Sequence, residues 1–163
     1  MNWITSLFSG TSLAILGAAL SCLMAGTGSA RGCGIAGEAA AGVLTEDPNK
    51  FGQTILLQAL PGTQGIYGLI IAFLILLKIG IIGGPVINLE PAVGMRFLFA
   101  GLTMGFVGLT SGIAQGRASA ACMGIITKRP EELGKAMMYP ALVETYAVFA
   151  LLVSFLMWMG IAV

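Results

Sequence analysis

One acidic residue, Glu144, lies deep inside a long apolar stretch, in the segment Pro-Ala-Leu-Val-Glu-Thr-Tyr-Ala-Val. It stands roughly 13 residues, or ~20 Å of helix, from the nearest polar link. An unpaired charge at such depth in a membrane costs at least about 2.5–3.5 kcal/mol. No basic residue is expected at the same depth, so a proton or a metal cation must neutralise the carboxylate. The alternative is a structural acid paired with a neighbouring helix.

Further oxygen donors are expected at the depth of Glu144. The segment Leu-Pro-Gly-Thr-Gln-Gly-Ile-Tyr at residues 60–67 carries Thr63 and Gln64, and its Pro61 frees a backbone carbonyl one turn back. Another apolar stretch carries Gln115. Hydroxyl, amide, carbonyl and carboxylate oxygens are the ligands that a small hard cation needs, whereas a proton carrier needs only the acid. The alternative role of these side chains is interhelical hydrogen bonding.

The elements that must position these residues are membrane-spanning helices. Of the 163 residues, 57% are hydrophobic and 9% are charged, whereas soluble domains carry about 25% charged residues. Each apolar stretch exceeds the ~20 residues that a span requires. The sequence therefore predicts an all-α membrane protein, a single membrane domain over residues 1–163. Its four predicted transmembrane helices cover residues 12–44, 51–79, 97–127 and 133–162.

Composition excludes several other classes of protein. The net charge is +1, which gives no basic field for nucleic acid, and the absence of histidine removes the commonest metal ligand. No positively charged region precedes the first apolar stretch, so we expect a first span there rather than a cleaved signal peptide. No Gly-rich nucleotide-binding loop of the GxxxxGK[ST] type occurs, and we expect no catalytic activity in this chain.

The two halves of the sequence repeat at an offset of 82 residues. Thr45 then matches Thr127, and Pro48 matches Pro130. The chain is thus predicted to be two fused helical hairpins, at residues 12–80 and 95–162, in parallel orientation because each hairpin crosses the membrane twice. Glu144 falls opposite Gly62, so one ion site is expected per four helices.

Small residues recur every fourth position in the third span. They are Gly108, Gly112, Gly116, Ala120 and Gly124. The first span has Gly26, Ala30 and Gly34 at the matching places, and Gly28 and Gly32 on another face. Such spacing lets helix backbones approach closely in lipid. It favours tight packing of the first and third spans around the narrow inner wall of a ring, with packing in a single bundle as the alternative.

Basic residues predict the orientation in the membrane. Most of the eight lie near the polar links within the hairpins, whereas Lys78 and Arg96 lie on the other side. The positive-inside tendency places these links in the cytoplasm and both termini outside. The six basic residues near the links are Arg31, Lys50, Arg117, Lys128, Arg129 and Lys135.

Three motifs within this duplicated hairpin resemble one known family. Leu-Pro-Gly-Thr-Gln-Gly-x-Tyr-Gly from Leu60, Gly-Ile-Ala-Gln-Gly around Gln115 and Val-Glu-Thr-Tyr-Ala around Glu144 look like the proteolipid rotor subunit of V-type ATPases. The similarity is to the sodium-translocating bacterial form, subunit K, and it covers essentially the whole chain.

The resemblance implies a homo-oligomeric rotor ring in the cell membrane, turned by an ATP-hydrolysing head through central stalk subunits. Tyr67 is then expected to hydrogen-bond Glu144, as a gate or support for the site. A stator subunit with a half-channel arginine would displace the ion before each site turns through membrane lipid. The implied sodium ligands are the Leu60 carbonyl, Thr63, Gln64, Gln115 and Glu144.

Three alternatives stay open at this point. A proton-translocating V-type rotor subunit shares the fold and Glu144 but does not need the neutral oxygen ligands. A small four-helix membrane exporter with a coupling glutamate would not need glycines in register. A purely structural bundle would leave a deep, unpaired Glu144 unexplained.

Overall fold

The computed structural model describes residues 8–163, so residues 1–7 of the predicted membrane domain lie outside the described part. Four helical segments of this part are long and apolar enough to cross a membrane, as predicted. Short 3₁₀ turns at Pro48–Lys50, Leu60–Gly62 and Pro130–Glu132 interrupt or precede the helices. The helices are α1 (Gly10–Glu46), α2 (Phe51–Ala59), α3 (Thr63–Lys78), α4 (Pro91–Lys128) and α5 (Leu133–Met159).

The second span consists of α2 and α3, and Pro61 lies in the turn between them. Proline lacks the backbone N–H that would bond one turn back, and the chain tightens there into a 3₁₀ turn. The fourth span contains Pro140 yet stays helical throughout α5. The second and fourth spans therefore differ at the depth where the polar residues lie.

The repeat is visible in the geometry of both hairpins. Helix α1 ends at Glu46 and α4 ends at Lys128, and a 3₁₀ turn follows each. The hydroxyls of Thr45 and Thr127 each bond the carbonyl four residues earlier, at 2.9 and 2.7 Å. These matching positions are 82 residues apart, which is the offset predicted from the sequence.

Helices α1 and α4 form the most closely packed pair, through glycines on both sides. A Cβ on Gly112 would lie 2.7 Å from the carbonyl carbon of Gly28, and a Cβ on Gly17 would lie 2.7 Å from the Cα of Leu98. Of the two glycine-bearing faces of α1, the one with Gly28 and Gly32 contacts α4, whereas a Cβ on Gly26 would meet no described atom within 4 Å.

The two hairpins are also tied together at both ends. Near the polar links, the Lys50 ammonium donates to the carbonyl of Thr127, and Gln53 Nε2 donates to the carbonyl of Pro130 at 3.1 Å. At the opposite end, Trp158 Nε1 donates to the Leu74 carbonyl at 2.9 Å. These bonds connect the second span to the end of α4 and the start of the fourth span on one side, and to the end of α5 on the other.

Candidate functional site

Glu144 on α5 is held by donors from two other spans. The hydroxyl of Tyr67, on α3, donates to Oε1 of Glu144 at 2.7 Å. Nε2 of Gln115, on α4, lies 3.3 Å from Oε2 and also donates to the carbonyl of Pro140 at 3.1 Å. Each carboxylate oxygen thus has one donor, and three spans meet at the acid.

Gln64 extends this group into the protein interior. Its side chain is fully buried, and its Nε2 donates to Oε1 of Gln115 at 2.5 Å. Its own Oε1 is buried and has no hydrogen-bond partner among the described residues. A buried acceptor left unsatisfied costs roughly 1–3 kcal/mol. A cation seated beside Glu144 would satisfy this oxygen, so the residues present fit such an ion.

Thr63 and Leu60 belong to the turn that Pro61 produces. The Thr63 hydroxyl donates to the Leu60 carbonyl at 3.0 Å, which joins these two predicted ligands to each other. The structure therefore brings Gln64, Gln115, Tyr67 and Glu144 into one chain of hydrogen bonds, with the Thr63–Leu60 pair in the turn next to Gln64.

The carboxylate is only half-buried. Glu144 lines a shallow depression on the outer surface with Ala141, Thr145, Val148 and Phe149. One side of the carboxylate thus faces the polar interior and the other faces an apolar surface. A bare negative charge at such a boundary with lipid is unfavourable by several kcal/mol. This surface can therefore face lipid only when the charge of Glu144 is neutralised.

No basic side chain of the described part pairs with Glu144. Among residues 8–163, the one ion pair joins Lys135 and Glu132, whose charged atoms lie 2.7 Å apart in a polar link. The same residues hold no group of three His, Cys, Asp or Glu side chains that could bind a metal. The available oxygen ligands are one carboxylate and several neutral oxygens, a combination that suits a cation of low charge.

Sequence reasoning did not include the Pro140 carbonyl in this site. A proline inside a helix frees the carbonyl four residues earlier, here that of Ala136, so no signal in the sequence pointed to the carbonyl of Pro140 itself. The carbonyl of Pro140 accepts a bond from Gln115. It thereby helps to orient the amide that also reaches Glu144.

Comparison with known proteins identifies the family. The model of the family of ATP synthase C subunits matches twice, at residues 16–75 and 98–157. The chain is 43% identical over 157 residues to the V-type sodium ATPase subunit K of Enterococcus hirae, which covers 96% of this chain and 97% of that protein.

A second relative is the A-type ATP synthase subunit K of Methanocaldococcus jannaschii. The two proteins are 42% identical over 149 residues, or 91% of this chain, but the chain spans only 63% of that relative's length. These matches confirm the resemblance, the duplicated hairpin and the membrane location. The chain therefore belongs to the family of ATP synthase C subunits.

Proposed function

We propose that this chain is a rotor ring subunit of a V-type ATPase that carries sodium ions across the membrane on Glu144. The observation that carries the proposal is the buried Oε1 of Gln64, which has no hydrogen-bond partner within residues 8–163 and lies beside the pair of Gln115 and Glu144. The sodium ATPase subunit that shares 43% of its residues supports the choice of ion. We take residues 12–80 and 95–162 as the two repeats. The proposed sodium ligands are the Leu60 carbonyl, Thr63, Gln64, Gln115 and Glu144.

In this mechanism each residue has a defined task. Glu144 supplies the negative charge, and the neutral oxygens replace water around the ion. The Tyr67 hydroxyl, which donates to Glu144, holds the carboxylate turned towards the interior. With the ion bound, the site is electrically neutral and its half-exposed surface can face lipid.

Partner subunits complete the cycle in our proposal. Identical copies form the ring, central stalk subunits turn it, and a stator arginine in a half-channel displaces the ion from Glu144. ATP is hydrolysed by those partners, and this chain makes and breaks no covalent bond. The polar links are placed in the cytoplasm and both termini outside.

Labelling with a hydrophobic carbodiimide tests the proposal. The reagent should modify Glu144, and millimolar sodium at alkaline pH should protect it. E144Q should abolish labelling and coupled transport while the ring still assembles, whereas the control E38Q, at an exposed acid of α1, should leave both intact.

The outcomes separate the competing functions. Labelling that sodium does not slow would contradict the sodium assignment and favour the proton-translocating rotor. No labelling at all would contradict a carboxylate reachable from the membrane. Sodium-protected labelling in a protein that forms no ring would favour a small exporter with a coupling glutamate.

A further inference from the structure

The hydroxyl of Ser29, on α1, accepts a hydrogen bond from the backbone N–H of Gly65 at 2.7 Å. Gly65 is the third residue of α3, because the turn at Pro61 makes the α-helix start again at Thr63. The first N–H groups of a helix have no carbonyl partner within that helix. Ser29 therefore bonds, from a different span, the kind of amide that a capping side chain usually bonds.

The second span has no capping side chain of its own at this point. The residue before α3 is Gly62, which has no side chain that could accept the bond. In water such an amide would be solvated, whereas within a membrane an unsatisfied backbone N–H is strongly unfavourable. The side chain of Ser29 is buried, and its bond to Gly65 satisfies this amide inside the protein.

Ser29 belongs to a face of α1 that runs along the turn. Gly32 and Cys33 lie three and four positions further, which places them on the same side of the helix. A Cβ on Gly32 would lie 2.8 Å from the Cβ of Pro61, and a Cβ on Gly62 would lie 3.6 Å from the Cys33 sulfur. The turn thus packs directly against α1, although α1 supplies none of the proposed sodium ligands.

The second hairpin has the equivalent serine but does not use it as a cap. This residue, Ser111, donates to the carbonyl of Val107 in its own helix at 2.7 Å. Helix α5 continues through Pro140 without a break, so no new helix start needs a partner there. Of the two equivalent serines, only Ser29, beside the interrupted span, caps a neighbouring helix.

We propose, on the basis of the proposed sodium site, that Ser29 is a positioning residue of that site. Thr63 and Gln64, the first two residues of α3, are proposed sodium ligands, and Gly65 follows them directly. By holding the Gly65 N–H, Ser29 fixes the start of α3 and with it the directions of these two side chains. The ion then meets an ordered set of oxygens, and its binding does not have to order the turn. The site thereby depends on all four spans.

Substitution of Ser29 in native membranes tests this role. S29A should raise the sodium concentration that half-protects Glu144 against carbodiimide by roughly 2- to 30-fold, which corresponds to the usual effect of losing a capping serine. Labelling in the absence of sodium should keep its rate, because Tyr67 and Gln115 still hold the carboxylate.

The matched control is S21A. The Ser21 hydroxyl, also on α1 and buried, donates to the carbonyl of Gly68 in α3 at 3.0 Å. That carbonyl lies inside α3, where it also accepts a helical bond. Ser21 lies eight residues, or about 12 Å, along α1 from Ser29. S21A should therefore leave sodium protection unchanged.

A second pair of variants separates the hydrogen bond from packing. Threonine and valine have nearly the same shape, but only threonine keeps a hydroxyl. Because S29T and S29V are both branched at Cβ, the effect of the added branch cancels when the two are compared. S29T should retain sodium protection better than S29V, by a factor similar to the one that separates the unmodified protein from S29A.

Four results would overturn the proposal. Unchanged sodium protection in S29A would show that the cap does not order the ligands. Equal loss of protection in S29A and S21A, or in S29T and S29V, would assign the effect to packing of α1 against α3. In these three cases sodium still protects the unmodified protein, and the proposed function stands. An unmodified protein that sodium does not protect would remove the proposed function and the role of Ser29 together.

Discussion

At the residue scale, Glu144 has a negative charge that no basic side chain of the described part neutralises, and Gln64 has a buried amide oxygen without a donor there. The carboxylate receives donors from Tyr67 and Gln115, and these bonds keep it oriented without removing its charge. The amide oxygen of Gln64 lacks a donor among the described residues. A cation between them, as we propose, would neutralise the Glu144 charge and satisfy the Gln64 oxygen together. A proton on Glu144 would neutralise the acid but needs none of the other oxygens.

Replacement of Gln64 by alanine therefore tests whether its oxygen binds the ion. We expect Q64A to weaken sodium protection of Glu144 against carbodiimide by roughly 10- to 100-fold, since a hydrogen bond or ligand to a charged group contributes about 1.5–3 kcal/mol. Labelling without sodium should persist.

The matched control for Q64A is Q53A. Gln53 also has a buried Oε1 without a partner in the described part, but it lies in the second span near the polar links, with its Nε2 on Pro130. Its replacement should leave sodium protection unchanged. Equal loss of protection in both variants would mean that Gln64 acts through packing only.

The residue types of the site were predictable, but their hydrogen bonds were not. A deep acid and amides at similar depth are visible in the sequence because apolar spans make each polar residue conspicuous. An amide can donate or accept, however, and only the structure shows that Gln115 donates to the Pro140 carbonyl and accepts from Gln64. The choice depends on helix rotation, which the sequence does not specify.

At the scale of elements, the close contact of α1 and α4 depends on particular glycines. The spacing predicted that these two helices pack closely. It did not distinguish the face with Gly26 from the face with Gly28, because both carry glycine at four-residue spacing. The rotation of α1 follows from the whole contact with α2, α3 and α4.

Alanine at Gly112 tests the tight contact. Its Cβ would lie 2.7 Å from the Gly28 carbonyl carbon, and backbone atoms cannot move aside without separating the helices. We expect G112A to lower the thermal stability of the protein in detergent. The control G124A lies in the same helix with no described atom within 4 Å of its Cβ. It should be neutral or stabilising by up to about 1 kcal/mol, and equal destabilisation by both variants would contradict the tight contact.

At the scale of the whole molecule, the proposed orientation of the hairpin links on the cytoplasmic side can be tested directly. Lys50, Lys128 and Arg129 lie in or beside these links, and positive residues favour the cytoplasmic side. In a background with Cys22, Cys33 and Cys122 replaced by alanine, N49C should react with a membrane-impermeant thiol reagent in inside-out vesicles only. G84C, in the connection between hairpins, should react in right-side-out vesicles only. The reverse pattern would invert the proposed orientation.

The two hairpins contain two equivalent positions for an acid, and the sequence has an acidic residue at only one of them. Gly62 stands where Glu144 stands in the second hairpin, and a Cβ there would meet only the Cys33 sulfur, at 3.6 Å, among described atoms. A Cβ can therefore be accommodated at this position, but the neighbouring amide ligands are absent. The equivalents of Gln115 and Gln64 are Cys33 and Tyr146, neither of which offers an amide oxygen.

An acid moved to the first hairpin should therefore fail to carry sodium. In the double variant G62E with E144Q, we expect carbodiimide labelling at the new acid without protection by sodium, and no coupled transport. Native mass spectrometry of the ring controls for assembly. Sodium protection at position 62 would mean that a carboxylate alone suffices, and the neutral oxygens of the second and third spans would lose their assigned role. Labelling without protection would instead show that ion binding requires both hairpins, each contributing residues that the other has lost.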